Sequence, residues 1–125
     1  MAEYLYNKTH EYLARKDGEY TVGISEFAVQ ELGDITFVEL PAAGSEFRRG
    51  EPFATVESVK AVSEVYAPVD MAIVSVNEEL AEHPELLNED PLGNGYFAVV
   101  RVMDQSQISD LISDEDYKAM DKSGN

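Results

Sequence analysis

From residue 56 to residue 65 the chain reads Val-Glu-Ser-Val-Lys-Ala-Val-Ser-Glu-Val, which is nearly symmetric about its centre. A β-hairpin with Lys60 and Ala61 at its tip would place these like residues opposite one another: Val59 and Val62, Ser58 and Ser63, Glu57 and Glu64, and Val56 and Val65. Facing valines stabilise such a ladder by roughly 0.2–1 kcal/mol each, whereas facing glutamates oppose it. The tip also lacks the Gly, Asn or Asp that two-residue loops favour. We therefore predict that the tip serves a purpose other than stability.

Lys60 is isolated in the sequence. It is the only lysine between Lys16 and Lys118, and Arg101 is the only other basic residue between positions 50 and 117. On a hairpin tip its amine would be accessible to a modifying enzyme from most directions. The alternative is an ordinary solvated lysine, since most lysines are exposed. The isolation and the mirrored strands strengthen the case for a modifiable amine, but on their own they do not outweigh the ordinary surface lysine.

Short strands with turn residues between them run through the rest of the chain, which is typical of a small β-barrel or sandwich. We predict strands over residues 10–15, 19–24, 35–40, 71–76 and 96–103. A tight turn at Asp17-Gly18 would join the first two strands.

Three segments have helical patterns. A short helix over 26–32 would begin after Ser25 as N-cap and end at Gly33. A second, over 78–87 with Asn77 as its cap, would be broken by Pro84. Apolar residues at helical spacing predict a C-terminal amphipathic helix or two, and residues 121–125 are expected to fray.

Composition excludes several classes of protein. The length of 125 residues suits one domain over 1–125. A net charge of −16 argues against nucleic acid or an anionic membrane as partner, because both attract basic surfaces. The chain has no cysteine, which excludes disulfides and thiolate metal sites. It also has no signal peptide pattern, so we expect a cytoplasmic protein in a bacterium or an organelle-matrix protein in a eukaryote.

Enzymatic and metal-binding patterns are missing from the sequence. No nucleophile is paired with a base in a known catalytic motif, so no catalytic residue is assigned. His10 and His83 are the only histidines, and they lie far apart in the sequence. We therefore predict no metal site.

The lysine segment resembles the attachment motif of the glycine cleavage system H-protein family. The matching residues around the lysine are Glu57, Ser58, Val59, Lys60 and Ala61. Further matching blocks occur in the family's order along almost the whole chain: 10–12, 21–24, 32–35, 37–41, 66–69, 76–78, 84–91 and 95–96. The resemblance implies a flattened barrel of the biotinyl/lipoyl carrier type, in its hammerhead version, with short flanking helices.

The same resemblance implies a carrier that performs no chemistry itself. Lipoate would be joined by an amide bond to Lys60 by a lipoate-attaching enzyme. The lipoyl arm would shuttle an aminomethyl group between glycine decarboxylase (P protein), aminomethyltransferase (T protein) and dihydrolipoamide dehydrogenase (L protein). We expect a monomer. Two alternatives remain: a relay that donates lipoate to other acceptor proteins, and an interaction module whose lysine is never modified.

The resemblance also implies a cleft that protects the loaded arm. The family residues with this role match Thr9, Glu11 and Glu64. Two carboxylates and a hydroxyl suit a protonated amine, because charge-assisted hydrogen bonds would hold it. One departure from the family lies at Asp70-Met71, where the family usually has Ser-Gly. A Met in a turn that needs positive φ would be strained, so this turn is expected to be rebuilt or strained.

Overall fold

The structure is a computed structural model that describes residues 3–120. Within these residues ten strands form two antiparallel sheets. In chain order the strands are β1 (Glu3–Tyr6), β2 (Glu11–Lys16), β3 (Glu19–Ile24), β4 (Ile35–Glu39), β5 (Glu46–Phe47), β6 (Pro52–Ser58), β7 (Val62–Tyr66), β8 (Met71–Val76), β9 (Ala98–Val102) and β10 (Ile112–Ser113). The larger sheet has the order β10-β1-β2-β3-β9-β8-β5, and the smaller one the order β4-β6-β7.

Four short α-helices flank the sheets: α1 (Glu26–Leu32), α2 (Glu78–Glu82), α3 (Leu86–Glu89) and α4 (Asp114–Ala119). A 3-10 helix covers Gln105–Asp110. Helix α1 has the predicted bounds, because the Ser25 hydroxyl accepts a hydrogen bond from Ala28 N and Gly33 ends the helix at a φ of 80°. The helix predicted over 78–87 is divided into α2 and α3, with Pro84 between them.

The core lies between the two sheets. Alternate residues of the smaller sheet, including Val38, Val56 and Val65, are buried against residues of the larger sheet such as Val22 and Val100. No helix within residues 3–120 has the length and hydrophobicity of a transmembrane segment. The mostly β sandwich with short flanking helices confirms the predicted fold class.

A second, tyrosine-rich cluster covers the other side of the larger sheet. Tyr6 stacks on Tyr117 of α4 with ring centroids 3.9 Å apart, and Tyr12 lies beneath them, fully buried. The Tyr12 hydroxyl donates to Pro91 O at 2.9 Å. Gly23 makes this packing possible, since a Cβ there would lie 2.6 Å from the Tyr12 oxygen. The cluster anchors the C-terminal helix, while the predicted fraying of 121–125 lies outside the described residues.

Three local predictions need correction. Strand β1 was not predicted; it is built from a polar and aromatic segment and lies between β2 and the two-residue edge strand β10. Asn77 occupies the predicted N-cap position of α2, but its side chain makes no capping hydrogen bond; its amide donates to the carbonyl oxygens of Asn94 and Tyr96. The strand predicted over 96–103 is shorter, since β9 spans Ala98–Val102.

The turn before β8 is rebuilt and is not strained. Met71 is fully buried, and it is not among the described residues with positive φ. The Asp70 carboxylate accepts a hydrogen bond from Arg49 N at 2.7 Å, and Asp70 N donates to Gln107 Oε1 at 2.6 Å. The hydrogen bond from Arg49 lowers the pKa of Asp70. Side-chain and backbone contacts therefore take the place of a glycine turn.

Candidate functional site

The hairpin that carries Lys60 has a different register from the predicted one. Glu57 lies opposite Val62, and Glu64 lies opposite Thr55. The two-residue tip is therefore Val59-Lys60, with Ser58 N donating to Ala61 O at 2.8 Å across its base. Each glutamate thus pairs with a residue two positions away from its predicted partner. A displacement by two positions keeps every side chain on its face of the sheet. It also removes the predicted repulsion, because Glu57 and Glu64 do not face each other.

The Ser58 hydroxyl closes the tip. It accepts hydrogen bonds from Ala61 N at 3.1 Å and from Lys60 N at 3.3 Å. Neither Val59 nor Lys60 is among the residues with positive φ. A turn of this kind does not need the Gly, Asn or Asp that the primed hairpin turns require. The side chain of the motif serine thus explains how the tip forms without them.

Lys60 presents its amine at the end of this exposed tip. The ion pairs found within residues 3–120 do not include it. Its side chain leans towards the end of α1, where a Cβ built on Gly33 would lie 3.8 Å from Lys60 Cε. The amine is thus accessible, and its stem points along the protein surface.

Contacts from α3 support the tip from below. Asn88 Nδ2 donates to Gly33 O at 2.9 Å, and Asn88 Oδ1 accepts from Ile35 N at 2.9 Å. Between these two residues, Asp34 O accepts a hydrogen bond from Val59 N at 3.0 Å. One amide side chain therefore fixes the 33–35 segment, which in turn holds one residue of the tip.

A cleft of about 190 Å³ opens between α1 and β7. Thr9, Glu11 and Glu64 all line it, together with Glu31 and Leu32 of α1. The structure therefore brings together the three residues that the resemblance indicated. Leu32 directly precedes Gly33, over which the Lys60 stem lies, so the root of a lysine-linked arm is next to this cleft.

Glu11 is the buried carboxylate of the cleft, with only 3% of its surface exposed. It accepts hydrogen bonds from the Thr9 hydroxyl and, at 3.2 Å, from Tyr66 N. Burial raises the pKa of Glu11 above its ordinary value, and these hydrogen bonds oppose that rise only in part. Such a group favours a nearby cation, which would compensate its lost hydration.

Sequence reasoning missed two ionisable residues that line the cleft, Glu31 and His10. Glu31 lies in the last turn of α1, where an acidic side chain opposes the helix dipole, and that unfavourable position was a readable signal. His10 has a φ of 78°, and its Nδ1 lies 2.6 Å from the Tyr117 hydroxyl. Nothing in the local sequence indicated that contact, because Tyr117 is distant along the chain.

The glutamates and His10 that line the cleft are not arranged as a metal site. Within residues 3–120, no group of three or more His, Cys, Asp or Glu side chains is arranged to hold a metal ion. His83 lies near Glu85, with 3.5 Å between Nδ1 and Oε2, and His10 borders the cleft. The polar groups that line the cleft are thus carboxylates, two hydroxyls and the His10 imidazole.

Comparisons with known proteins agree on one family. The family model described as "Glycine cleavage H-protein" matches residues 4–124. A protein of Prochlorococcus marinus (strain MIT 9301) named "Glycine cleavage system H protein" is 47% identical over 114 residues, covering 91% of this chain and 88% of the relative. A protein of the same name from Oceanobacillus iheyensis is 45% identical over 115 residues, covering 92% and 91%.

A solved structure is similar along nearly the same length. It is described as the crystal structure of a glycine cleavage system H protein from Mycobacterium marinum. The TM-score is 0.83 at 34% sequence identity, and the match covers 93% of this chain and 94% of that one.

Proposed function

Since the chain belongs to the glycine cleavage H-protein family and so to the glycine cleavage system, we propose that it is the lipoyl carrier of that system. Lipoate is joined to Lys60 through an amide bond. When attached, the lipoyl group accepts an aminomethyl group from the P protein, delivers it to the T protein and is reoxidised by the L protein. The chain itself positions and protects this arm and catalyses no step.

The observation that carries the proposal is the setting of Lys60. Its amine stands on a two-residue tip, is exposed and has no ion-pair partner within residues 3–120. An acylating enzyme can therefore enclose the lysine without first breaking an ion pair or moving the backbone. These residues fit a covalently attached carboxylic acid such as lipoate.

The cleft is the binding site that we propose for the loaded lipoyl arm. The Lys60 stem lies over Gly33, which directly follows Leu32 of the cleft between α1 and β7. The amine of the aminomethyl cargo is protonated at neutral pH and would meet the carboxylates of Glu11 and Glu64. Charge-assisted hydrogen bonds of this kind are roughly twice as strong as neutral ones, and they strengthen further as a bound arm displaces water from the cleft. We propose that Thr9 orients Glu11 for this contact.

A carrier contributes proximity. Tethering the cargo to Lys60 keeps it at a high effective concentration beside whichever enzyme has docked. This role needs an accessible attachment point and a protective surface, and both occur together at the lysine hairpin.

Reconstitution with purified P, T and L proteins tests this function. We expect the lipoylated protein to support glycine-dependent NADH formation and Lys60→Arg to support none, while a Lys118→Arg control remains active. Arginine keeps the positive charge but cannot form the amide. A protein that becomes lipoylated at Lys60 yet supports no glycine cleavage would instead be a relay that hands lipoate to other acceptors.

The protective role of the cleft has its own test. Protein loaded with its aminomethyl cargo is prepared in advance, and the spontaneous release of formaldehyde and ammonia is followed. Glu11→Gln and Glu64→Gln should each release the cargo faster than the wild type, with little change in lipoylation at Lys60. Glu46→Gln, an exposed glutamate of β5 in the other sheet, is the control. Unchanged lifetimes in the Glu11→Gln, Glu64→Gln double variant would refute protection by these carboxylates.

A further inference from the structure

Outward-facing side chains of the smaller sheet form two rows beside the Lys60 tip. Strand pairing places Phe37 opposite Glu57 and Glu57 opposite Val62, which makes one row. The same pairing places Glu39 opposite Thr55 and Thr55 opposite Glu64, which makes the second. We call these six residues the outer face: Phe37, Glu39, Thr55, Glu57, Val62 and Glu64.

The row nearer the tip is unusually apolar for a solvent-facing surface. Phe37 is 47% exposed and Val62 is 69% exposed. Val59, at the tip itself, is also 69% exposed. These are three of the six large hydrophobic residues that are exposed within residues 3–120, and all three belong to the lysine hairpin or to the strand paired with it. Clustered apolar exposure of this kind marks an interaction surface, whereas scattered single residues do not.

The charge on the outer face has one sign. Glu39, Glu57 and Glu64 are acidic, and strands β4, β6 and β7 contain no lysine or arginine. Lys60, at the tip, is the single cation of this hairpin. A complementary protein would present apolar side chains to Phe37 and Val62 and basic side chains to Glu57 between them and to Glu39 and Glu64 beside them.

We infer that the outer face is the docking surface for the enzyme that acylates Lys60, an inference that rests on the proposed lipoyl attachment. This enzyme acts before any arm exists, so its active site must reach the lysine nitrogen itself. It therefore has to contact the surface that continues from the tip. Enzymes that act on the far end of a finished arm do not face this requirement.

The reaction at the tip defines how close that contact is. The Lys60 amine, after losing a proton, attacks the carbonyl carbon of an activated lipoyl donor such as a thioester or an acyl phosphate ester. The C–N bond forms as the bond to the leaving group breaks, and a second proton departs with that group. Val59 and Val62 lie within two positions of Lys60 along the chain. An enzyme that encloses the Lys60 amine during transfer must therefore cover both valines.

Initial lipoylation rates test the apolar part of the outer face. The double variant Phe37→Thr, Val62→Thr should lose about tenfold in kcat/KM, mainly through a higher KM, which corresponds to about 1.4 kcal/mol. Threonine keeps the strand preference at both sites. The matched control is Met103→Thr, Val74→Thr, which changes residues of similar exposure (47% and 57%) away from the smaller sheet. It should remain within twofold of the wild type.

Glu57→Gln tests the charged part without a change in shape. It should make kcat/KM less sensitive to ionic strength, whereas Glu46→Gln should not. Circular dichroism melting identifies any variant that is unfolded. If the Phe37→Thr, Val62→Thr variant is unfolded, the salt dependence of kcat/KM in Glu57→Gln tests the outer face on its own.

The outcomes separate this inference from the function it rests on. Wild-type protein that is lipoylated at Lys60, with outer-face variants equal to their controls, would overturn the docking surface alone. Wild-type protein that is never lipoylated would overturn the carrier function and the docking surface together.

Discussion

Replacement of Asn88 by alanine should loosen the support of the lysine hairpin. Asn88 makes two hydrogen bonds of 2.9 Å, to Gly33 O and from Ile35 N. A typical hydrogen bond contributes about 0.5–1.5 kcal/mol net. Because Asn88 is an exposed residue, water replaces part of each bond, and we expect a loss of about 1–2 kcal/mol in the free energy of unfolding. For a chain of this length that corresponds to a fall in Tm of about 3–8 °C.

Urea unfolding measures this loss, and a neighbouring residue provides the control. Glu89→Ala changes an exposed side chain on the same helix and should lie within about 0.5 kcal/mol of the wild type. The hydrogen bond from Val59 N to Asp34 O depends on the segment that Asn88 holds, so Asn88→Ala should also slow lipoylation severalfold. An Asn88→Ala protein as stable as Glu89→Ala, and lipoylated at the wild-type rate, would refute this account of the support.

Three further predictions concern the cleft, the tyrosine cluster and the surface charge. Glu11→Gln should stabilise the protein at neutral pH, because the raised pKa of Glu11 means that its ionised form disfavours folding. The stability that comes from the protonated form is present below the unfolded-state pKa and is lost as pH rises through the folded-state pKa. Unfolding measured from pH 4 to 8 should therefore show the advantage of the variant growing with pH, and a constant difference would contradict it. Gly23→Ala should cost about 1–3 kcal/mol by denaturant unfolding, since the new methyl would lie 2.6 Å from the Tyr12 oxygen, and an unchanged stability would show that the cluster can shift. The apparent KM of the partner enzymes for this carrier should rise with ionic strength, because a net charge of −16 speeds encounter through a field that salt screens. A KM independent of salt would exclude such steering.

Signals confined to a few neighbouring residues predicted their structures well. Ser25 and Gly33 define both ends of α1, and Asp17 and Gly18 adopt positive φ in the turn between β2 and β3. Each of these features depends on the backbone preferences of the residues that form it. The fold class followed from the same short-range alternation of strands and turns.

The register of the lysine hairpin could not be predicted from its mirror symmetry. A shift of the tip by one residue changes every opposing pair but leaves each side chain on the same face, so the buried pattern is compatible with both registers. Two contacts accompany the observed register of the hairpin. The Ser58 hydroxyl closes the tip, and Ile35 of β4 pairs with Ser58. The second of these depends on a strand distant in sequence.

The candidate site likewise has one feature that the sequence predicted and two that depend on contacts between distant parts of the chain. Lys60 was identifiable because its isolation and its motif are properties of the sequence itself. The support by Asn88 depends on how α3 packs against the turn after α1, which no local pattern encodes. The apolar row of the outer face likewise appears only when pairing places Phe37 and Val62 on either side of Glu57.

Site-resolved mass spectrometry of Lys60 tests the central claim most directly. The wild-type protein, Lys60→Arg and Lys118→Arg are each incubated with a lipoate-attaching enzyme, lipoate and ATP, and then digested. The carrier account predicts a gain of one lipoyl group on the peptide that contains Lys60, its complete loss in Lys60→Arg and no change in Lys118→Arg. An unmodified wild-type peptide, or a gain that persists undiminished in Lys60→Arg, would contradict it.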